Sequence, residues 1–523
     1  MKKLIYNNKN ILFILLICFL SITFNFHYGY RGVFPIDSFL IYDSGYNVLN
    51  GNYPFKDYWS ITGPLLDYLQ AFFFLVFGVS WFSYVLHASI LNLGLALFSY
   101  FIFKELGLKK SYSFIYSLGI SLLAYPSIGV PFIDHHSTIF SIFSIYCFIF
   151  ALKRKNNLFL FFIPILLGLS FLSKQIPAAY IIVFVSLVLI FDFIYNNNKK
   201  GFYFTVSGLI LFFLFIFLTF ILSGITLSNF LTQYIFYPFT IGQDRVENLS
   251  INIKDVFNNF KFIYISIFPL FIIIYKIVSI KGFIKNKKND LIIIVLVIGM
   301  ISIFIYTQMI TQNQILIFFL IPLGTAFSHI FYDKYFKAKP YFIYIIIFVC
   351  IFSAFKYHLR FNENKKFMEL ANVNINLAVD AIKIDKMFLG LNWITKHYPN
   401  NPKEEIKNLV EIKEYIKSDL NKKIFITDYQ FFSALSKSSF SSPNKWYDNK
   451  SIPDSKNKYY KQYKLFFIDR LTENNVKKIY TIGPKDYLPI LYIYFKDIID
   501  NNCVSSKQVN EMLIIYDISN CDL

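Results

Sequence analysis

The chain has 523 residues, of which 56% are hydrophobic, 20% aromatic and only 16% charged. An ordinary soluble domain carries about 25% charged residues; here the apolar residues fall in long blocks nearly free of charge, which excludes a soluble globular protein and indicates many membrane spans. The formal net charge of +19 does not indicate nucleic acid, because the Lys and Arg sit in short loops between apolar runs, as the positive-inside bias of a membrane protein requires.

The chain opens on Met-Lys-Lys and an apolar run from Ile11 to about Phe24. No small-residue cleavage site follows, so this reads as an uncleaved first span and not a signal peptide. Further apolar runs cover about 82–103, 112–127, 137–152, 158–173, 176–195, 203–223, 262–280, 290–307, 314–332 and 340–356. A helix needs about 20 residues to cross the hydrocarbon, so the shorter runs extend into their polar flanks. With the N-terminus inside, the inner loops collect Lys2, Lys3 and Lys9, then the groups 104–110, 153–155, 199–200, 276–288 and 334–339. That places nineteen basic residues inside, against six outside: Arg31, Lys56, Lys174, Arg245, Lys254 and Lys261. An odd number of spans, about 11, then puts everything after Tyr357 outside.

The expected architecture is an α-helical polytopic membrane protein with a small C-terminal α/β extracytoplasmic domain. The membrane module covers 1–356, with a first outer loop at about 27–81, and the tail covers 357–523. In the tail, 378–397 and 403–418 read as amphipathic helices. Lys423–Asp428, Leu465–Asp469, Val476–Ile482 and Met512–Ile518 read as strands. Cys18, Cys147 and Cys350 fall in spans as packing residues, whereas Cys503 and Cys521 would pair in an oxidising compartment.

The first outer loop is too long for a connector. It holds Asp37, Asp43, Asp57 and Asp67, and its apolar segment Leu65–Phe77 reads as a helix lying at the membrane surface. Later outer loops hold Asp134-His135-His136, then Lys174-Gln175, then Gln233, Tyr234, Tyr237, Gln243, Asp244, Arg245 and Glu247. The fifth holds Thr307, Gln308, Thr311, Gln312, Asn313 and Gln314. Acids, imidazoles, a lysine and an arginine thus gather at one face, which suits a phosphate-bearing lipid and a polar acceptor.

The stretch Phe34-Pro35-Ile36-Asp37, then Gly51-Asn52-Tyr53-Pro54-Phe55, Gly63-Pro64-Leu65 and Phe77-Gly78-Val79-Ser80, resembles the first-loop pattern of GT-C glycosyltransferases, closest to the O-mannosyl and aminoarabinose transferases. Asp37 precedes Gly51 by the fourteen residues of that pattern. Ser38 stands where the pattern usually has Glu, and Gly63 where it has the first Pro. The resemblance implies a sugar donor on a polyprenyl phosphate, transferred with inversion to an envelope glycan, lipid or protein at the outer face of a bacterial inner or plasma membrane.

It also implies roles. Asp37 is the candidate general base, with the cap of a following helix as the plainer reading. Asp134 matches a recurring second-loop acid. With His135 and His136 it forms a candidate site for a divalent metal or for orienting the acceptor; hydrogen-bonded loop residues are the alternative. Lys174 is a candidate for the donor phosphate against simple snorkelling, and Arg245 is a second phosphate candidate against an exposed loop arginine. Asp43, six residues after Asp37, could face the acceptor but fits a structural role better. Asp428 and Asp469 end expected strands, where structural or acceptor-recognition roles fit. Competing functions are a lipid-linked glycan flippase or transporter and an O-antigen polymerase or ligase. The first would favour paired repeats and mid-membrane charges; the second would place its dense loop late in the chain.

Overall fold

The structure, a computed structural model, describes residues 2–249, 252–279, 283–311, 317–336, 340–438, 440, 442–448 and 450–522. Gln312, Asn313 and Gln314 of the fifth outer loop, and the inner-loop residues Lys281, Lys337 and Lys339, lie outside the described residues.

The membrane module is a bundle of helices. α1 (Lys2–Gly29) leads into the first loop, which contains α2 (Pro35–Ser38), α3 (Tyr42–Leu49) and α4 (Leu65–Phe77). Then follow α5 (Trp81–Glu105), α6 (Lys110–Leu123), α7 (Ile133–Arg154), α8 (Leu158–Ser173), α9 (Gln175–Asn196) and α10 (Lys199–Ser223). After a loop with α11 (Leu227–Phe230) and α12 (Tyr237–Glu247), the bundle closes with α13 (Ile253–Ser279), α14 (Phe283–Thr311), α15 (Leu320–Phe336) and α16 (Pro340–His358).

Among the described residues eight helices are long and apolar enough to cross a membrane, so the chain is an integral membrane protein. Three expected spans are shorter: α6 has 14 residues, α8 has 16 and α15 has 17. All three pack against longer helices of the bundle, α6 on α5, α8 on α7 and α15 on α13. At one end Lys104 bonds Asn10, Arg154 pairs with Glu105, Lys288 bonds Asn196 and Lys334 pairs with Asp290. At the other, Asn25 bonds the Gly129 carbonyl, Asn362 that of Leu122, and Ser137 that of Lys174. The first end is rich in lysine, and the second carries the first loop and the tail.

The tail packs α17 (Pro402–Ser418), α18 (Phe432–Ser436), α19 (Tyr460–Glu473) and α20 (Leu488–Tyr492) around a sheet. A two-residue ladder of β1 (Val379–Asp380) and β2 (Asn392–Trp393) precedes it. The sheet consists of β3 (Lys423–Thr427), β4 (Lys478–Ile482), β5 (Ser505–Asn510) and β6 (Leu513–Asp517), in the order β3-β4-β6-β5. β3 and β4 are parallel, and β6 is antiparallel to both its neighbours. Cys503 and Cys521 form a disulfide.

Two tail expectations are corrected. Residues 465–469 lie in α19, not in a strand, because Tyr463, Phe466, Phe467 and Leu471 recur at helical spacing and are buried together. Residues 378–397 form no long helix: Asp380 and Asp385 each accept a backbone N–H two residues on, closing separate short turns between β1 and β2.

Candidate functional site

The first loop is held between the bundle and the tail. Gly32 N–H bonds the Asn392 carbonyl at 2.9 Å, Val33 N–H bonds that of Ile394 at 3.1 Å, and Asn392 N–H returns to Tyr30 at 3.0 Å. The next residues turn through the single turn of α2, with Pro35 preset for its start. Phe39 is fully buried, with Phe431 at 4.9 Å, Trp81 at 5.5 Å and Trp393 at 5.8 Å between ring centroids. Asp37 therefore sits on a short turn anchored on both sides.

Asp37 caps no helix. The residue before α3 is Ile41, which makes no side-chain cap bond. The Asp37 residue is partly exposed, and its carboxyl accepts no hydrogen bond among the described residues. Burial pushes it up to about 7; the charges of Asp448, Asp134 and Asp428 add to the effect, and Lys174 opposes it. The structure thus brings Asp37, Asp134 and Lys174 into electrostatic reach, together with two tail carboxylates, of which Asp448 drew no attention in the sequence.

Lys174 does not stand free. Its ammonium bonds both oxygens of Asp134 at 2.7 Å, and the Asp134 side chain is only 4% exposed. The turn that carries Lys174 is clamped from outside: Gln175 donates to the carbonyls of Ile61 and Tyr234, both at 2.8 Å. Gln233 accepts from Ser60 N–H and donates to the Phe55 carbonyl, each at 3.0 Å. Gly63 lies so close that a Cβ there would meet the Leu172 carbonyl oxygen at 1.8 Å. The glycine that departs from the family pattern is what lets the loop reach the lysine turn.

The trio Asp134, His135 and His136 does not converge on one point. These residues open α7, where successive side chains diverge by about 100°. His135 Nε2 faces the Ala124 carbonyl at 3.0 Å. His136 meets Tyr125 through Nδ1 and His87 Nε2 at 3.0 Å, and His87 continues to Gln70 at 2.9 Å. Among the described residues no three His, Cys, Asp or Glu side chains are placed to hold a metal ion.

Two further candidates lie apart from Asp37. Asp43 accepts from Ser433 N–H at 3.2 Å, Ser433 Oγ at 2.7 Å and Ala434 N–H at 3.1 Å, so it caps α18 from across the loop–tail seam. Burial pushes its carboxyl up to about 6 against those bonds. Arg245 occupies the last turn of α12, two turns or about 12 Å beyond Tyr237. Tyr237 packs on Trp59 with centroids 6.1 Å apart. No contact joins Arg245 to the Asp134–Lys174 pair among the described residues.

No family model matches the sequence, and no curated protein matches it. Solved structures do. ArnT from Cupriavidus metallidurans in the apo state superimposes with a TM-score of 0.52 at 10% identity, over 99% of this chain and 98% of that one. The same protein bound to undecaprenyl phosphate gives 0.51 at 11%, over 98% of each. The Archaeoglobus fulgidus oligosaccharyltransferase in the apo form gives 0.51 at 12%, over 93% of this chain and 72% of that one. Over nearly its whole length the chain therefore carries the GT-C membrane fold that its first-loop motif implies.

Proposed function

We propose that this protein is an inverting glycosyltransferase that moves a sugar from a polyprenyl-phosphate donor to an envelope glycan, lipid or protein. One observation carries the reading: at the tail end of the bundle a carboxyl without a hydrogen-bond donor, Asp37, is tuned to about 7 beside the Asp134–Lys174 ion pair. The shared fold supports it, as does the undecaprenyl phosphate held by one of the structural neighbours.

The chemistry follows from these groups. An acceptor O–H or N–H attacks the anomeric carbon, and the bond from that carbon to the phosphate oxygen breaks. Its electron pair leaves with the polyprenyl phosphate, and Asp37 takes the proton. Lys174, held at 2.7 Å by Asp134, presents a positive charge that the phosphate can share as negative charge builds on it. No covalent intermediate is needed for this step. The reading places the lysine-rich end inside, and the tail beyond residue 357 on the outer face of a bacterial plasma membrane.

The test incubates purified protein with labelled undecaprenyl-phosphate sugars and extracted envelope acceptors. Asp37→Asn is expected to cut transfer by about 10²–10⁴-fold, the size of a lost general base, with folding intact. Near-normal turnover in that variant rejects the role of Asp37. Lipid translocation without bond breakage replaces the enzyme with a transporter.

A further inference from the structure

We infer that the tail forms the acceptor half of this site, with the Asp428 carboxylate receiving a hydrogen bond from an O–H or N–H group of the acceptor next to its attacking atom. The inference rests on the transfer reading above.

Asp428 directly follows the last residue of β3, at the sheet edge that faces the first loop. The neighbouring Gln430 carbonyl accepts from Asp43 N–H at 3.1 Å, which fixes this edge against α3. Asp428 is 6% exposed, and its Oδ1 is bonded to no described residue. A buried carboxylate oxygen without a donor is costly and rare, and the other carboxylates of the seam show how unusual it is here. Asp43 accepts three hydrogen bonds. Asp67 accepts from Ser44, Tyr58 and Lys445, and Glu405 accepts from Trp393, Thr395 and Tyr429. Asp428 alone of these four keeps an oxygen for something else.

Its surroundings indicate what that is. Asp428 and Asp448 both act on the charge of Asp37, from the tail side, whereas Lys174 acts from the bundle side. The cation felt by Asp428 is Lys396, which is already paired with Glu369 at 2.5 Å. A phosphate is thus repelled beside Asp428 and Asp448. A neutral or positively charged hydrogen-bond donor is favoured on the tail side. The attacking group then approaches Asp37 from the tail side.

The experiment uses the full chain in lipid nanodiscs, with labelled undecaprenyl-phosphate sugar as donor and extracted envelope material as acceptor. It is run at a pH well above the acid limb, so that any change in Asp37 ionisation is silent. Asp428→Ala is expected to raise the KM for the acceptor about tenfold or more, the effect of one hydrogen bond to a charged group, with Asp428→Asn in between. The KM for the donor is expected to stay within about twofold. If Asp428→Ala does not fold, Asp428→Asn decides. Wild-type transfer with an unchanged acceptor KM in the folded variants overturns this assignment alone, as does a rise confined to the donor KM. Wild-type protein that leaves the donor intact overturns the transfer reading and this assignment with it.

Discussion

Asp37 owes its working range to residues that lie far from it in sequence. Burial, then the negative charges of Asp448 and Asp134, hold its carboxyl at about 7. The base form therefore prevails only above that pH, and kcat/KM for transfer is expected to fall as the pH drops below about 7. Asp448→Asn removes a repelling charge, so Asp37 ionises more easily and the acid limb moves to lower pH. A pH–rate profile checks both; a limb left unmoved by Asp448→Asn counts against this electrostatic account. Asp37 and Asp134 stand out in the sequence through the resemblance of the outer loops, and Lys174 as a charge that interrupts an apolar stretch. The structural role of Asp43 was legible too, but its partners were not, because Ser433 and Ala434 lie 390 and 391 residues further on. Nor was the His136–His87–Gln70 chain, which joins three helices through single polar residues that look isolated in their own segments.

Between elements, the first loop approaches the end of α8 closely. Gly63→Ala would drive a methyl group into the Leu172 carbonyl, so either the loop or the Lys174 turn must move. The expected cost is about 1–3 kcal/mol, together with a loss of transfer. Gly242→Ala, where nothing lies within 4 Å, is expected to be close to neutral. Thermal midpoints and transfer rates of the two variants make the comparison. The membrane helices were readable because apolar runs and lysine loops alternate along the chain. The tail was harder. β5 is polar and mostly exposed, and it is a strand because it pairs with β6, a fact its own residues do not announce. The apparent alternation over 465–469 is too short to separate strand from helix. The decisive spacing includes Tyr463 and Leu471 on either side.

Taken whole, the molecule has one continuous core across the boundary between loop and tail. Phe39, Ile41, Tyr42 and Trp81 share one buried cluster with Phe388, Trp393, Phe431 and Phe432. Through the same seam runs an ion pair between Lys445 and Asp67 at 2.6 Å, 1% and 0% exposed. Lys445→Met leaves the Asp67 charge buried without its partner, at an expected cost of about 3–5 kcal/mol. Adding Asp67→Asn is expected to recover most of that. Unfolding of the purified single and double variants measures it, and a single variant as stable as wild type disproves the coupling.

The seam also sets a clock on synthesis. Asp43 leaves the ribosome 390 residues before Ser433, the hydroxyl it must hold, which at about 5–20 residues per second is a wait of roughly 20–80 s. During that interval the first loop has half of its core missing. Under the proposed function, a nascent chain anchored in the bilayer is expected to transfer no sugar until residue 433 has been made, and a chain ending before it is expected to be inactive. Limited proteolysis of such a truncated chain should cut between residues 31 and 64, where the full-length protein resists.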